Sequence, residues 1–196
     1  MSKAERTKQF IIEKTAPIFN AKGYVGTSLT DLIEATSLSK GSIYGNFENK
    51  DEVALAAFDY NFKAVVSYIK NKMDSRKSTI DKLLVYPEIY RNFLNLTFLK
   101  AGCPVLNTAT ESDDTHPLLK EKANNAIKYW KKSLDQILKE GIKKNEIKPE
   151  VNCKEFIVIL ISVIEGVVMQ AKVTGNSEDL NIAMDYIEKM IINLKT

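Results

Sequence analysis

The triplet Lys40-Gly41-Ser42 combines three residue types suited to contact with a nucleic acid. A lysine ammonium donates to guanine O6 and N7 or to a phosphate, a serine hydroxyl bonds either type of base, and a glycine lets the backbone come close. A helix that enters a major groove about 12 Å wide needs small side chains of this kind at its start. Thr27, Ser28, Ser39, Tyr44, Asn46 and Lys50 flank the triplet and carry hydroxyl, amide or ammonium groups able to hold phosphate oxygens. A helix starting near Lys50 would add free amides and a positive dipole end. Ser28, Ser39 and Asn49 serve equally well as helix caps, and Lys40 as a solvated side chain, so each residue taken singly leaves both roles open.

Cys103, directly before Pro104 where a helix is expected to start, offers a second chemistry. A helix N-terminus favours thiolate, which makes the sulfur nucleophilic. The other role is that of a small buried hydrophobe, and both remain open. An effector pocket between helices is mostly apolar with a few polar groups. Its candidate walls are Phe93, Phe98, Cys103, Tyr129, Trp130 and Met169, with Asn107, Glu111 and His116 as polar anchors. Glu165, a charge inside an apolar stretch, either lines that pocket or pairs across a dimer.

The elements that must hold these groups read as helices throughout, because apolar residues recur at three and four and nowhere alternate for long. The expected fold is all-α, with about nine helices. Ile12, Ala16 and Phe19 share one face of a first helix that ends at Gly23, and Pro17 is expected to kink or weaken its middle. Ser28-Leu29-Thr30-Asp31 has the shape of a capping box for a short second helix. Ser37-Leu38-Ser39 makes a tight turn, and Ser39 caps a short third helix holding Ile43, Tyr44 and Phe47. Asn49 and Glu52 form another capping box, opening a long helix with Leu55, Phe58, Phe62, Val65 and Ile69 on one face. Two short helices joined by a tight turn and buttressed on each side are the layout of a helix-turn-helix DNA reader. The expected domains are 1–48 for that unit and 49–196 for a helical effector-binding and dimerisation body, rigidly joined.

Further along, Pro87 is expected to interrupt one segment, and a long amphipathic helix runs from His116-Pro117 to Gly141. From about Lys154 to Val173 the chain is apolar nearly all round, which requires burial on more than one side. With the final helix it reads as one protomer's half of an intersubunit four-helix bundle, the other reading being a central core helix of a monomer.

The chain has 196 residues, 44% hydrophobic and 27% charged, with 28 Lys and Arg against 25 Asp and Glu. That is the composition of a folded domain with a sizeable core, and a net charge of +3 confines any nucleic-acid surface to a local patch. Cys103 and Cys153, fifty positions apart, make neither a disulfide framework nor a zinc pair, so a reducing cytoplasmic setting is expected. The charged opening residues lead into no apolar h-region. The longest apolar run, Phe156 to Ile164, falls short of the ~18–20 residues that cross a bilayer, so no membrane span is expected. One histidine and no phosphate-loop, zincin or nucleophile-elbow motif argue against an enzyme and against a cofactor. A helical interaction module or enzyme scaffold without sequence-specific DNA binding is the competing reading.

The run from Ile11-Ile12 through Gly23-Tyr24, Thr27-Ser28-Leu29, Leu32-Ile33, Leu38-Ser39-Lys40-Gly41-Ser42-Ile43-Tyr44 and Phe47 to Asn49-Lys50-Asp51-Glu52-Val53 resembles the DNA-binding domain of the TetR family of bacterial regulators. The resemblance covers about the first quarter of the chain. It implies a homodimer on a palindromic double-stranded operator, dimerised through the last two helices, with a body that releases DNA when it binds a small-molecule inducer. It also implies phosphate contacts from Thr27, Ser28, Tyr44 and Lys50. Gly45-Asn46 departs from the family's usual aromatic or polar residue followed by histidine, and Gly45 costs roughly 1 kcal/mol of helix propensity relative to Ala. A short recognition helix is therefore expected. Gly102-Cys103-Pro104 and the residues after it resemble a TetR-like subgroup with members that sense electrophiles or oxidants through a nearby cysteine, which implies release by thiol modification.

Overall fold

The computed structural model describes residues 2–196, and among them the elements are nine α-helices and one 3-10 turn, with no strand. They gather into two compact units. One takes the residues up to Val65 together with Pro104–Asn125, and the other takes Val66–Cys103 together with Ala126–Thr196. This division by packing differs from a functional boundary drawn at residue 48, because a later stretch of chain returns to the N-terminal unit.

The N-terminal unit contains α1 (Lys3–Gly26), α2 (Leu29–Thr36), α3 (Lys40–Tyr44), the first part of α4 (Lys50–Asp74), α6 (Pro104–Ser112) and the start of α7 (Pro117–Lys143). Ser2 opens α1 with a full capping box, its hydroxyl accepting from Glu5 N–H and Glu5 accepting from Ser2 N–H. The helix passes through Pro17 with helical backbone angles, contrary to the kink expected from sequence. Packing holds it: Thr15, Ala16, Phe19 and Asn20 are all buried, and the Asn61 amide donates to the Ala16 carbonyl at 2.8 Å. The break comes instead at Gly23, with φ 73° and ψ 178°, a conformation open essentially to glycine alone. Ile11, Ala16, Phe19, Leu32, Ile43, Phe47, Val53, Ala54 and Ala57 form one buried core beneath α1 to α4.

The C-terminal unit contains the rest of α4 and α7, α5 (Thr79–Arg91), α8 (Cys153–Thr174) and α9 (Glu178–Ile192). Ser78 caps α5 by accepting from Asp81 N–H at 3.0 Å. Pro87 lies inside α5 without interrupting it, a second correction to the sequence reading. Its neighbours Val85, Tyr86, Ile89 and Tyr90 are buried, so tertiary packing outweighs the lost amide bond. Helix α9 packs on both α5 and α8, and Arg91 of α5 reaches Asp185 and Glu188 of α9, each at 2.8 Å.

Helix α8 is 22 residues long and, by length and composition, apolar enough to cross a membrane. The continuous-run criterion applied to Phe156–Ile164 missed this, because Glu165 interrupts the run but not the helix. Phe156, Ile157, Leu160, Ile164, Val167, Val168 and Ala171 are buried inside the unit, as in the core helix of a folded body. Val158, Ile159, Met169 and Val173 of the same helix remain exposed, as do Ile182, Tyr186 and Ile192 on or beside α9.

Candidate functional site

Local capping chemistry positions the residues of the helix-turn-helix. Ser28 accepts from Asp31 N–H at 3.1 Å while Asp31 accepts from Ser28 N–H at 2.7 Å, the reciprocal box expected from the sequence. The hydrogen bond from Lys22, joined by those from Ser28, lowers the Asp31 carboxyl to a pKa of about 2. Helix α2 closes on Ser37, whose positive φ of 55° turns the chain towards α3. Ser39 then caps α3 by accepting from Ser42 N–H at 3.2 Å.

Helix α3 is five residues long, as short as its Gly45 implied. Lys40 and Gly41 are exposed and Ser42 is half-buried at the solvent-facing start, whereas Ile43 is fully buried and Phe47 nearly so. The helix is thus pinned by its apolar underside and presents its first turn. Gly41 is uncrowded: among the described residues, the nearest atom that a Cβ there would meet is the Ser39 hydroxyl oxygen, at 3.9 Å. Tyr44 is half-buried against the core. Asn46 folds back, its amide donating to the Ser42 carbonyl at 2.8 Å, so it closes the helix end.

Two expected phosphate contacts point elsewhere. Thr27 is fully buried and its hydroxyl donates to the Gly23 carbonyl at 2.6 Å, so its side chain serves the α1–α2 turn. Lys50 is half-buried, with its ammonium donating to the carbonyls of Tyr24 and Thr27 at 2.9 and 3.0 Å and lying 4.2 Å from the centre of the Tyr24 ring. It closes the same turn from the other side. Asn49 caps α4 by accepting from Glu52 N–H at 2.9 Å, but Glu52 reciprocates to Glu48 N–H, one residue earlier than expected.

Tyr24 is the hub that the sequence did not single out. Its hydroxyl donates to Asp51, and that bond, with burial and the Asp51 charge, pushes the phenol up to about 12. Its carbonyl accepts from Lys50, and the His116 ring meets its ring edge-on with centroids 4.6 Å apart. Its amide, with that of Val25, donates to the Glu111 carboxylate at 2.7 and 2.9 Å. Asn107 of α6 likewise donates to the carbonyl and side-chain oxygens of Asn20, both at 3.0 Å. Asn107, Glu111 and His116, taken from sequence as effector anchors, therefore belong to the N-terminal unit and brace the end of α1 against α6.

In the C-terminal unit the buried residues include Phe93, Cys103 and Trp130, while Phe98 is half-buried with its ring 5.0 Å from that of Tyr68. Tyr129 and Met169 are each about half exposed. The sequence reading also missed Tyr86 and Tyr90, whose rings each stack with Trp130, with centroids 6.1 Å away in both cases. Their spacing of four residues on one helix was the available signal.

A helix-turn-helix on a buried core, joined to a helical body, has known counterparts. Residues 11–57 match the family model for bacterial regulatory proteins of the tetR family, and residues 79–187 match that for the tetracyclin repressor-like C-terminal domain. The chain belongs to the TetR family. A solved TetR-family transcriptional regulator from Cytophaga hutchinsonii is 45% identical, with a TM-score of 0.96 and coverage of 100% of this chain and 98% of that one. A TetR regulator from Chloroflexus aurantiacus is 34% identical, with a TM-score of 0.93 and the same coverage. The transcriptional repressor DhaR of a Mycobacterium species is 21% identical over 89% of this chain and 86% of its own length. The TetR-family chain is thus a DNA-binding transcriptional regulator.

Proposed function

We propose that the protein is a homodimeric repressor that binds a palindromic operator through α3 and leaves it when a small-molecule inducer, or modification of Cys103, alters the body. The exposed first turn of α3, held by the Ser39 cap and the buried Ile43, carries this reading. Lys40, Gly41 and Ser42 read bases there, while Ser28, Ser39 and Tyr44 hold phosphates. Thr27 and Lys50 act behind them by fixing the turn before α2. The exposed apolar side chains Val158, Ile159, Met169, Val173, Ile182 and Tyr186 support dimerisation through α8 and α9, since a contiguous apolar face of this kind is costly in water. The protein works in the cytoplasm, where its operator lies.

Titration of the purified protein against DNA flanking its own gene, at two salt concentrations and against unrelated competitor, tests the proposal. Selective binding that weakens steeply with salt is expected, since each phosphate contact contributes a slope of about −0.9 in log affinity against log salt. Weak association that ignores both salt and sequence across a genome-wide fragment set would overturn it in favour of a helical interaction module.

A further inference from the structure

The cations of the N-terminal unit differ in what already holds them. Lys8, Lys22 and Lys122 pair with Glu52, Asp31 and Asp59, Lys120 donates to the Asp113 carbonyl, and Lys50 closes the turn at Tyr24 and Thr27. Lys3 and Arg6, at the start of α1, are exposed and meet no carboxylate among the described residues. They share one face of α1 with Thr7 and Phe10, and together with Leu38 that face lines an open groove of about 370 Å³. The Thr7 hydroxyl is turned to the Lys3 carbonyl at 3.0 Å, so the polar reach of the groove comes from the two cations. Glu5, the acid nearest in sequence, lies off that face and accepts from Ser2 N–H.

Leu38 ties this groove to the reading element. It directly precedes Ser39, the cap of α3, so the groove adjoins the exposed first turn of that helix. The charge distribution calls for a contact there. Affinity for DNA rests largely on cations that neutralise phosphates, yet Lys50 and Thr27 are engaged with backbone carbonyls and Lys40 is the one cation of a five-residue α3. A net charge of +3 supplies no broad attractive field to make up the difference. A sugar-phosphate backbone alternates charged oxygens with apolar sugar faces. Lys3 and Arg6 suit the first, and the exposed Phe10 ring beside Leu38 suits the second.

We propose that the groove between the start of α1 and Leu38 is a second DNA-contact site, in which Lys3 and Arg6 hold backbone phosphates beside the base pairs read by α3 and Phe10 lies against a deoxyribose. This rests on the reading that α3 contacts DNA, and it names the residues that carry part of the salt dependence of binding.

The test titrates the full-length protein against its selected DNA fragment over a range of salt concentrations. The variants are Lys3→Ala combined with Arg6→Ala, the charge-conserving Arg6→Lys, and Lys63→Ala, which removes an exposed cation of α4 outside the groove. Losing two phosphate contacts should flatten the slope of log affinity against log salt by about 1.8 for each bound N-terminal unit, at about 0.9 per contact. Preference for the fragment over a base-substituted copy, compared at one salt concentration, should stay within about twofold. Arg6→Lys and Lys63→Ala should keep the wild-type slope. Both replaced residues are exposed, so the melting temperature of the combined variant should match wild type. An unchanged slope, equal flattening in Lys63→Ala, lost base preference at an intact slope, or a fall in melting temperature that reassigns the two residues to holding α1 would each overturn the proposal. Selective, salt-sensitive binding by wild type would stand in all four cases, whereas its absence would overturn the regulator reading along with this one.

Discussion

Replacing Glu165 by glutamine should change how stability depends on pH, and the size of the change follows from its surroundings. The buried carboxyl titrates at about 7, against an ordinary 4.5 once the chain unfolds. Between those values the folded protein holds a proton that the unfolded chain has lost. Unfolding therefore releases a proton, and stability falls as pH rises. The loss runs at about 1.4 kcal/mol per pH unit across that window, which makes roughly 3 kcal/mol in all by pH 8, with no further change above. Glutamine keeps the shape and cannot titrate. Its amide brings two N–H groups that also need partners, at a cost of about 1–3 kcal/mol, but that offset is the same at every pH. The quantity to compare is therefore the slope. Urea unfolding of both proteins at equal concentration, in steps from pH 5 to pH 8, should show the wild type losing stability relative to the variant by about 2.5 kcal/mol across the series, the rest being lost below pH 5. Parallel curves would mean that Glu165 is solvated or paired in solution, and the account of its burial would be wrong.

Lys40→Ala should leave stability within about 0.5 kcal/mol, since the residue is exposed, while relaxing base preference in a panel of operator variants; unchanged preference would remove Lys40 as a reader. Lys50→Ala should instead lower the melting temperature and weaken binding to all DNA sequences alike, because its ammonium closes the turn at Tyr24 and Thr27. Gly23→Ala should cost about 1–3 kcal/mol, because the positive φ resists a side chain and a Cβ there would overlap the Glu111 carboxylate. Combined with Glu111→Ala it should cost less than the two single changes added, in a double-mutant cycle read by thermal unfolding; strict additivity would show that the two positions do not meet.

Features written within four residues are legible in the sequence alone. The caps at Ser28, Ser39 and Asn49, the break at Gly23 and the brevity of α3 all follow from side chains acting on neighbouring backbone. Pro17 and Pro87 mislead because local rules price the lost amide bond but not the packing of Phe19, Tyr86 and Tyr90 that holds each helix together. Tyr129 and Trp130 look alike as apolar wall residues, yet neighbours on a helix point about 100° apart, and Trp130 is buried against the rings of Tyr86 and Tyr90 while Tyr129 is about half exposed. The placement of Asn107, Glu111 and His116 is illegible for another reason. It depends on α6 returning across some 80 residues of sequence to the end of α1, and no local pattern records such a return.

That return sets where the protein can be cut. Severed after residue 48, the head would keep its recognition helix but lose the carboxylate that receives Tyr24 and Val25, the ring that backs Tyr24 and the amide that holds Asn20. A hybrid regulator that grafts this operator specificity onto a foreign sensor must therefore carry two separate pieces of chain, the first helices and residues 104–125, with the donor's sensor spliced around the second piece.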